Sequence, residues 1–246
     1  MPIDDQVRRD LQRISSSLTP TTRVVAFTGA GISAASGIPT FRGAQDSLWS
    51  QYRPEELATP EAFARDPELV WQWYDWRRGL IAASGYNAAH EALAALEAHA
   101  QVVVVTQNVD GYHQEAGSTD VLEFHGAIWK VRCSACGRER LDRTFPLKKV
   151  PHCEKCGGME RPGVVWFGEG IDPEVMRRSF EESRNCDFFL VVGTAGAVYP
   201  AAGLVDAARA AGATICEFNL ERSGVSHLAD VFVPGSADLT LPLLVP

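Results

Sequence analysis

No stretch of the chain approaches the roughly 18 unbroken apolar residues of a membrane helix, so no helical span is expected. The N-terminus, Met1 to Leu18, has no apolar core and mixes acids with bases, which argues against a secretory leader. Two acids among the first five residues argue likewise against a transit peptide, and a cytoplasmic location is the default expectation. Basic charge is also in deficit: 23 Lys and Arg stand against 31 Asp and Glu, a formal net charge of −8. A general affinity for nucleic acid needs a basic face and is not expected, although a local basic groove stays open. No internal repeat and no low-complexity segment is present, and 22% charged residues give no sign of bulk disorder. At 246 residues one large domain with a smaller lobe is the expected layout.

Short apolar runs occur at Val24–Phe27, Val102–Val105, Phe188–Val192, Ala213–Phe218 and Val231–Val233. They are bounded by Gly, Pro or Asn and separated by helix-rich stretches such as His90–His99 and Ala201–Ala211. An amphipathic N-terminal helix is read from Val7, Leu11, Ile14 and Leu18. Buried strands alternating with helices predict an α/β, Rossmann-like parallel sheet with helices on both faces. Two segments break the rhythm: Thr40–Gly85, helical and rich in Trp, Arg and Pro, and Lys130–Pro162, which holds two C-x-x-C pairs. Residues 1–39, 86–129 and 163–246 are therefore assigned to the Rossmann-like domain. Residues 40–85 and 130–162 are assigned to a smaller helical and zinc-ribbon lobe.

Gly29-Ala30-Gly31-Ile32-Ser33-Ala34 follows the first apolar run and matches G-x-G-x-x-G/A. Glycines there let the backbone turn tightly and approach a pyrophosphate, whose charge meets the N-terminus of the next helix. An ordinary glycine turn carries the same letters. A dehydrogenase would need an acid about 20 residues on, at the end of a second strand. Pro39-Thr40-Phe41-Arg42-Gly43 stands there instead, so the loop suggests a dinucleotide while its surroundings do not suggest hydride transfer.

Cys133-x-x-Cys136 and Cys153-x-x-Cys156 lie sixteen residues apart, within the range of a four-cysteine zinc site, and each pair is followed by glycine. Four thiolates close a tetrahedral site and leave no position for water or substrate, so one structural Zn2+ is expected. A nucleic-acid-binding zinc ribbon would explain these cysteines alone and nothing else in the chain. Cys186 and Cys216 sit beside or within apolar runs and read as small core residues.

Thr106-Gln107-Asn108-Val109-Asp110 follows the run Val102–Val105, and Glu123-Phe124-His125-Gly126 comes just before the zinc segment. Together with Gly29-Ala30-Gly31-Ile32-Ser33 and Gly37-Ile38-Pro39-Thr40-Phe41-Arg42, these motifs resemble, in order and spacing, the signature of the sirtuins. Sirtuins are NAD-dependent protein-lysine deacylases. The resemblance runs from about Val24 to Ala237 and takes in the zinc ribbon.

The resemblance implies a role for each matching residue. Gly29, Ala30, Gly31 and Ser33 would cradle the diphosphate of NAD. Arg42, beside Phe41, and Gln107 would hold phosphates and ribose. Asn108 and Asp110 would fix the nicotinamide pocket, with Gly193 and Thr194 along the far side of the cleft. Asn219 would contact the adenine ribose, and Ala237 would lie near the adenine. Ala195 stands where the family usually has Ser and is credited with no hydrogen bond. Val164-Val165-Trp166-Phe167-Gly168 resembles the strand that pairs with the substrate peptide backbone. In the implied mechanism the acyl oxygen attacks the ribose carbon as nicotinamide leaves. His125 then takes a proton from a ribose hydroxyl, and the products are free lysine, nicotinamide and an O-acyl-ADP-ribose. Acylated proteins or peptides are the implied partners, with neither nucleic acid nor membrane expected.

Tyr74 and Arg77 stand at i and i+3 on a predicted helix and share one face. On residue type alone they read as an aromatic and a surface arginine. The Y-x-x-R pair and Leu57-Ala58-Thr59-Pro60 nevertheless resemble the desuccinylase branch of the sirtuins. There Tyr and Arg receive the distal carboxylate of succinyl- or malonyl-lysine, and Ala58 would leave room for the longer chain. Acetyl-lysine is expected to remain a substrate. Protein ADP-ribosyltransfer from the same cleft is the alternative, distinguished by label from NAD staying on protein.

Overall fold

The computed structural model describes residues 4–38, 54–196 and 199–246. In chain order the principal elements are α1 (Asp5–Ser17), β1 (Arg23–Thr28), a 3-10 helix (Ala30–Ser36), α2 (Pro54–Leu57), α3 (Pro60–Arg65), α4 (Pro67–Ala83) and α5 (Ala88–Leu96). β2 (Gln101–Thr106), α6 (Tyr112–Glu115), β3 (Val121–Glu123), β4 (Gly126–Cys133), β5 (Glu139–Leu141) and β6 (Glu160–Val164) follow. The chain continues with α7 (Pro173–Arg184), β7 (Phe188–Val192), α8 (Gly203–Ala210), β8 (Thr214–Asn219), β9 (Val231–Pro234) and α9 (Ala237–Thr240).

The main sheet runs β3-β2-β1-β7-β8-β9 and is parallel at every pairing. Chain direction across the sheet reverses between β1 and β7, which is where ligands bind in open α/β sheets. Both faces are covered, and that explains why the strands are apolar without alternation. Val24 and Ala26 face Leu11, Leu93, Leu190 and Leu241 on one side. Val25 and Phe27 face Phe189, Leu204, Val205 and Ile215 on the other. As expected, Cys186 and Cys216 are buried core residues, and burial pushes both thiols up to about 12.

A second, antiparallel sheet, β5-β4-β6, carries the cysteine pairs between its strands. It packs with α4 through Trp71, Trp73, Tyr74, Ile128, Trp129, Val131 and Trp166. Two caps start the helices that matter here. Thr59 accepts from Ala62 N–H at 3.1 Å and Asp66 from Leu69 N–H at 2.9 Å, each followed by a proline at the first helical position. Among the described residues no helix is long and apolar enough to cross a membrane.

Three local expectations shift. The helix expected after the glycine loop is a 3-10 helix. The helices read as His90–His99 and Ala201–Ala211 are Ala88–Leu96 and Gly203–Ala210, and the first starts earlier because Asn87 and His90 form a reciprocal cap. Of Val164–Gly168, only Val164 lies in a strand.

Candidate active site and metal centre

The loop after β1 meets the loop after β7 backbone to backbone. Gly31 N–H donates to Gly193 O at 2.8 Å, and Gly29 N–H to Val192 O at 3.0 Å. A Cβ on Gly31 would lie 2.6 Å from Gly193 Cα, and one on Gly193 would lie 2.5 Å from Gly31 C. Gly193 also takes φ +57°, a left-handed conformation that glycine accepts at no steric cost. Only paired glycines permit this approach.

The carboxyl ends of the other strands deliver polar groups to the same place. Gln107 Nε2 donates to Thr194 Oγ1 at 2.9 Å, linking the β2 and β7 loops. Asn219 Nδ2 donates to Thr194 O at 2.9 Å, which brings in β8. Asn108 Nδ2 reaches Gly29 O at 3.1 Å and Ser33 Oγ at 3.2 Å. Ser33 in turn donates to Asp110 Oδ2 at 2.8 Å, and Tyr112 N–H donates to Asp110 Oδ1 at 3.1 Å. Burial pushes the Asp110 carboxyl above the usual carboxylate range, while these two bonds pull it back. Trp129 Nε1 holds the Asp110 carbonyl at 2.9 Å. Ala237, the first residue of α9, is buried, and Ala195 is exposed. A row of buried or half-buried donors and acceptors at the switch point fits a polar dinucleotide. Phe41 and Arg42 lie outside the described residues.

His125, half-buried, sits between β3 and β4 with Nδ1 3.1 Å from Gln107 O. A carbonyl only accepts, so Nδ1 carries the proton and Nε2 keeps its lone pair. Burial holds the imidazole below its ordinary value, partly offset by the Gln107 bond. At neutral pH it is therefore an unprotonated base.

Two buried histidines that belong to no sequence motif, His90 and His113, lie behind this row. His90 receives Asn87 N–H on Nδ1 at 3.2 Å, leaving Nε2–H 3.5 Å from Ser33 Oγ. His113 shares Nε2 with Thr28 Oγ1 at 2.9 Å, and its ring stands edge-on to His90 at 4.9 Å between centroids. Lone histidines carry no sequence signal for such pairing. Asn87, three residues before His90, was the one available hint.

Tyr74 and Arg77 share one face of α4. Tyr74 is buried, and its hydroxyl oxygen accepts Trp166 Nε1–H at 2.9 Å. Arg77 is partly buried with its guanidinium 5.1 Å from the Trp73 ring centre. Burial lowers the Arg77 pKa, and the neighbouring Tyr74 and Asp110 raise it. The next residue behaves differently. Arg78 has no exposure, donates to Ile128 O at 2.8 and 3.1 Å and to Thr144 O at 3.1 Å, and lies 3.6 Å from Asp142.

The segment expected to be a strand follows β4 as far as Val165 and then leaves the sheet. Val165 N–H goes to His125 O at 2.9 Å, Trp166 N–H to Glu169 Oε2 at 2.9 Å and Phe167 N–H to Ala58 O at 3.0 Å. Gly168 then turns with φ +85°. Ala58 is buried, whereas Phe167 is 47% exposed.

The four Sγ atoms of Cys133, Cys136, Cys153 and Cys156 all lie within 4.8 Å of one another. Cys133 and Cys156 are 3.4 Å apart, and Cys136 and Cys153 are 3.8 Å apart. A tetrahedron with Zn–S of about 2.3 Å needs sulfurs about 3.8 Å apart, so the set fits one zinc ion. The two halves are alike: Gly137 N–H returns to Cys133 O and Gly157 N–H to Cys153 O. All four ligands are thiolates, so the ion would support the lobe and leave no position open for catalysis.

The Sir2 family model matches residues 29–200. The NAD-dependent protein deacylase of Aquifex aeolicus (strain VF5) is 54% identical over 210 residues, covering 85% of this chain and 87% of that protein. NAD-dependent protein deacylase 2 of Pyrobaculum aerophilum is 52% identical over 235 residues, covering 94% and 93%. A crystal structure of a Sir2 homolog in complex with NAD is 42% identical, with a TM-score of 0.88, covering 96% of this chain and 91% of that one. A Sir2 complex with a p53 peptide and NAD+ is 27% identical, with a TM-score of 0.80 and 95% coverage of each chain. With the strand order, the glycine interlock and the four-thiolate cluster all present in one chain, the match is consistent along its length, and the chain belongs to the Sir2 family.

Proposed function

We propose that this chain, an NAD-dependent protein deacylase, preferentially removes acyl groups that end in a carboxylate, succinyl and malonyl, from lysine, and also acts on acetyl-lysine. NAD supplies the leaving nicotinamide and the ADP-ribose that accepts the acyl group, and one water supplies the oxygen and hydrogens that balance the release of free lysine. On this reading a cleft between the Rossmann-like domain and the smaller lobe holds NAD along Gly29–Ser33, Gln107, Asn108, Asp110, Thr194 and Asn219. Arg42 and Phe41 belong to the same set. His125 Nε2 takes the proton of a ribose hydroxyl, its ring held in the right tautomer by the Gln107 carbonyl. Val164–Gly168 seats the peptide, and Ala58 leaves room for the acyl chain.

The observation that carries the acid preference is the pair on α4: a guanidinium beside a buried phenol hydroxyl. A guanidinium offers forked donors and a phenol adds one more, and a carboxylate is the group that both satisfy. Hydrogen bonds to a charged group contribute roughly 1.5–3 kcal/mol each, enough for more than tenfold discrimination. The test is Arg77→Met with succinyl- and acetyl-peptides of one sequence. The expected result is a loss of kcat/KM on the succinyl peptide at least tenfold larger than on the acetyl peptide. Equal losses would remove the carboxylate clamp.

A further inference from the structure

The Trp166 indole is held on several sides. The Arg161 guanidinium lies 3.4 Å from its ring centre, and the Phe63 ring is tilted against it at 5.4 Å. Arg161 is itself fixed by both carboxylate oxygens of Glu169 and by Val164 O at 2.8 Å. Glu169 Oε2 also receives the Trp166 main-chain N–H. One carboxylate thus sets the backbone of Trp166 directly and its ring through Arg161. The result is an indole N–H aimed at the Tyr74 hydroxyl oxygen from 2.9 Å, with both side chains 2% exposed.

A phenol oxygen that already accepts from a fixed donor has its own proton left for another partner. Burial pushes Tyr74 up to about 12, so the hydroxyl keeps that proton at any working pH. Arg77 beside it has donors only. The acyl end of the site is therefore biased toward donation, and a terminus with acceptors alone fits it. A terminal amide brings N–H groups that need an acceptor, and the phenol oxygen is the acceptor that Trp166 occupies.

We propose that Trp166 is a specificity-determining residue that fixes the hydrogen-bond polarity of the acyl site, by orienting the Tyr74 hydroxyl as a donor toward acidic acyl groups. The inference rests on the acid preference proposed above and adds a residue from the peptide-seating segment to it.

The test uses the full chain with NAD and three peptides of one sequence, carrying succinyl-lysine, acetyl-lysine, or succinamyl-lysine, in which a primary amide replaces the carboxylate. Trp166→Phe is expected to slow all three, since residue 166 also helps to seat the peptide. The kcat/KM ratio of succinyl to succinamyl peptide should fall by about tenfold or more, the worth of one hydrogen bond to a charged group. In a Tyr74→Phe background the same replacement should leave that ratio unchanged. If Trp166→Phe does not fold, benzothienylalanine at position 166 keeps the bicyclic ring and removes only the N–H. Equal losses on the three peptides, or an unchanged ratio with the N–H removed, would overturn the proposal. If the unaltered chain fails to turn over the succinyl peptide, the acid preference falls and this inference with it. If it does turn it over and Arg77→Met is selective while the Trp166 variants are not, this inference alone falls.

Discussion

The His125 ring and the Gln107 carbonyl are joined across 3.1 Å, between a residue at the edge of the second sheet and the loop that leaves β2. That contact assigns the ring's proton to Nδ1 and points the basic nitrogen elsewhere. With burial holding the imidazole below its ordinary 6.5, the acidic limb of the kcat/KM profile should have its midpoint below about pH 6.5. Activity should be at its plateau by pH 7, and His125→Ala should abolish turnover while keeping zinc content and the melting transition. Substantial deacylation by that variant would take His125 out of the base role.

Arg77 and Arg78 are neighbours with opposite consequences. Arg78→Met leaves Asp142 and two main-chain carbonyls without their buried partner and should cost about 3–5 kcal/mol in urea unfolding. Arg77→Met should change stability far less and act on acyl selectivity. A mild Arg78→Met variant would show that Arg140, which also pairs with Asp142 at 2.9 Å, carries that carboxylate alone.

One equivalent of zinc per chain is expected by elemental analysis of the purified protein. Cys136→Ala, or a strong chelator, should release it and lower thermal stability, since such ions supply on the order of 10 kcal/mol to local folding. Activity should fall with the metal. A fully active, metal-free protein would separate the ribbon from the reaction.

The two buried histidines predict an acid-labile fold. Burial holds His90 at about 4 and His113 well below 6.5, so the unfolded chain binds more protons in this interval. The contribution of His90 is complete above about pH 6.5 and declines as pH falls toward 4, by roughly 1.4 kcal/mol per unit, and His113 acts in the same direction. Urea midpoints at pH 7.0 and 5.0 should differ, and His90→Gln should flatten the difference. A midpoint that holds steady between these values would contradict the assignment.

What could be read in the sequence, and what could not, divides by the range of the interaction. Val24–Phe27 followed by Gly29-Ala30-Gly31 announces a strand and a tight turn because both are local. The cysteine pairs announce a metal because two knuckles of four residues each are local as well. Strand β3 is three residues long, too short to carry a periodicity of its own. The contrast between Arg77 and Arg78 was out of reach, because the carbonyls that hold Arg78 come from residues 50 and 66 positions away. Thr28 and His113 are 85 positions apart, which hides their bond equally well. Val164–Gly168 is expected as a strand through the family resemblance; its amides follow β4 only as far as Val165, and Trp166 and Phe167 then turn to Glu169, three residues on, and to the distant Ala58.

The contact of Gly31 with Gly193 has a consequence for how such a site can diversify. Two main chains touch there with no side chain between them, so neither position tolerates a lone replacement and the cleft floor has a fixed thickness. On the reading proposed above, a change in acyl preference is written in the side chains of α4 and of the 164–169 segment, where the chain can alter one residue at a time.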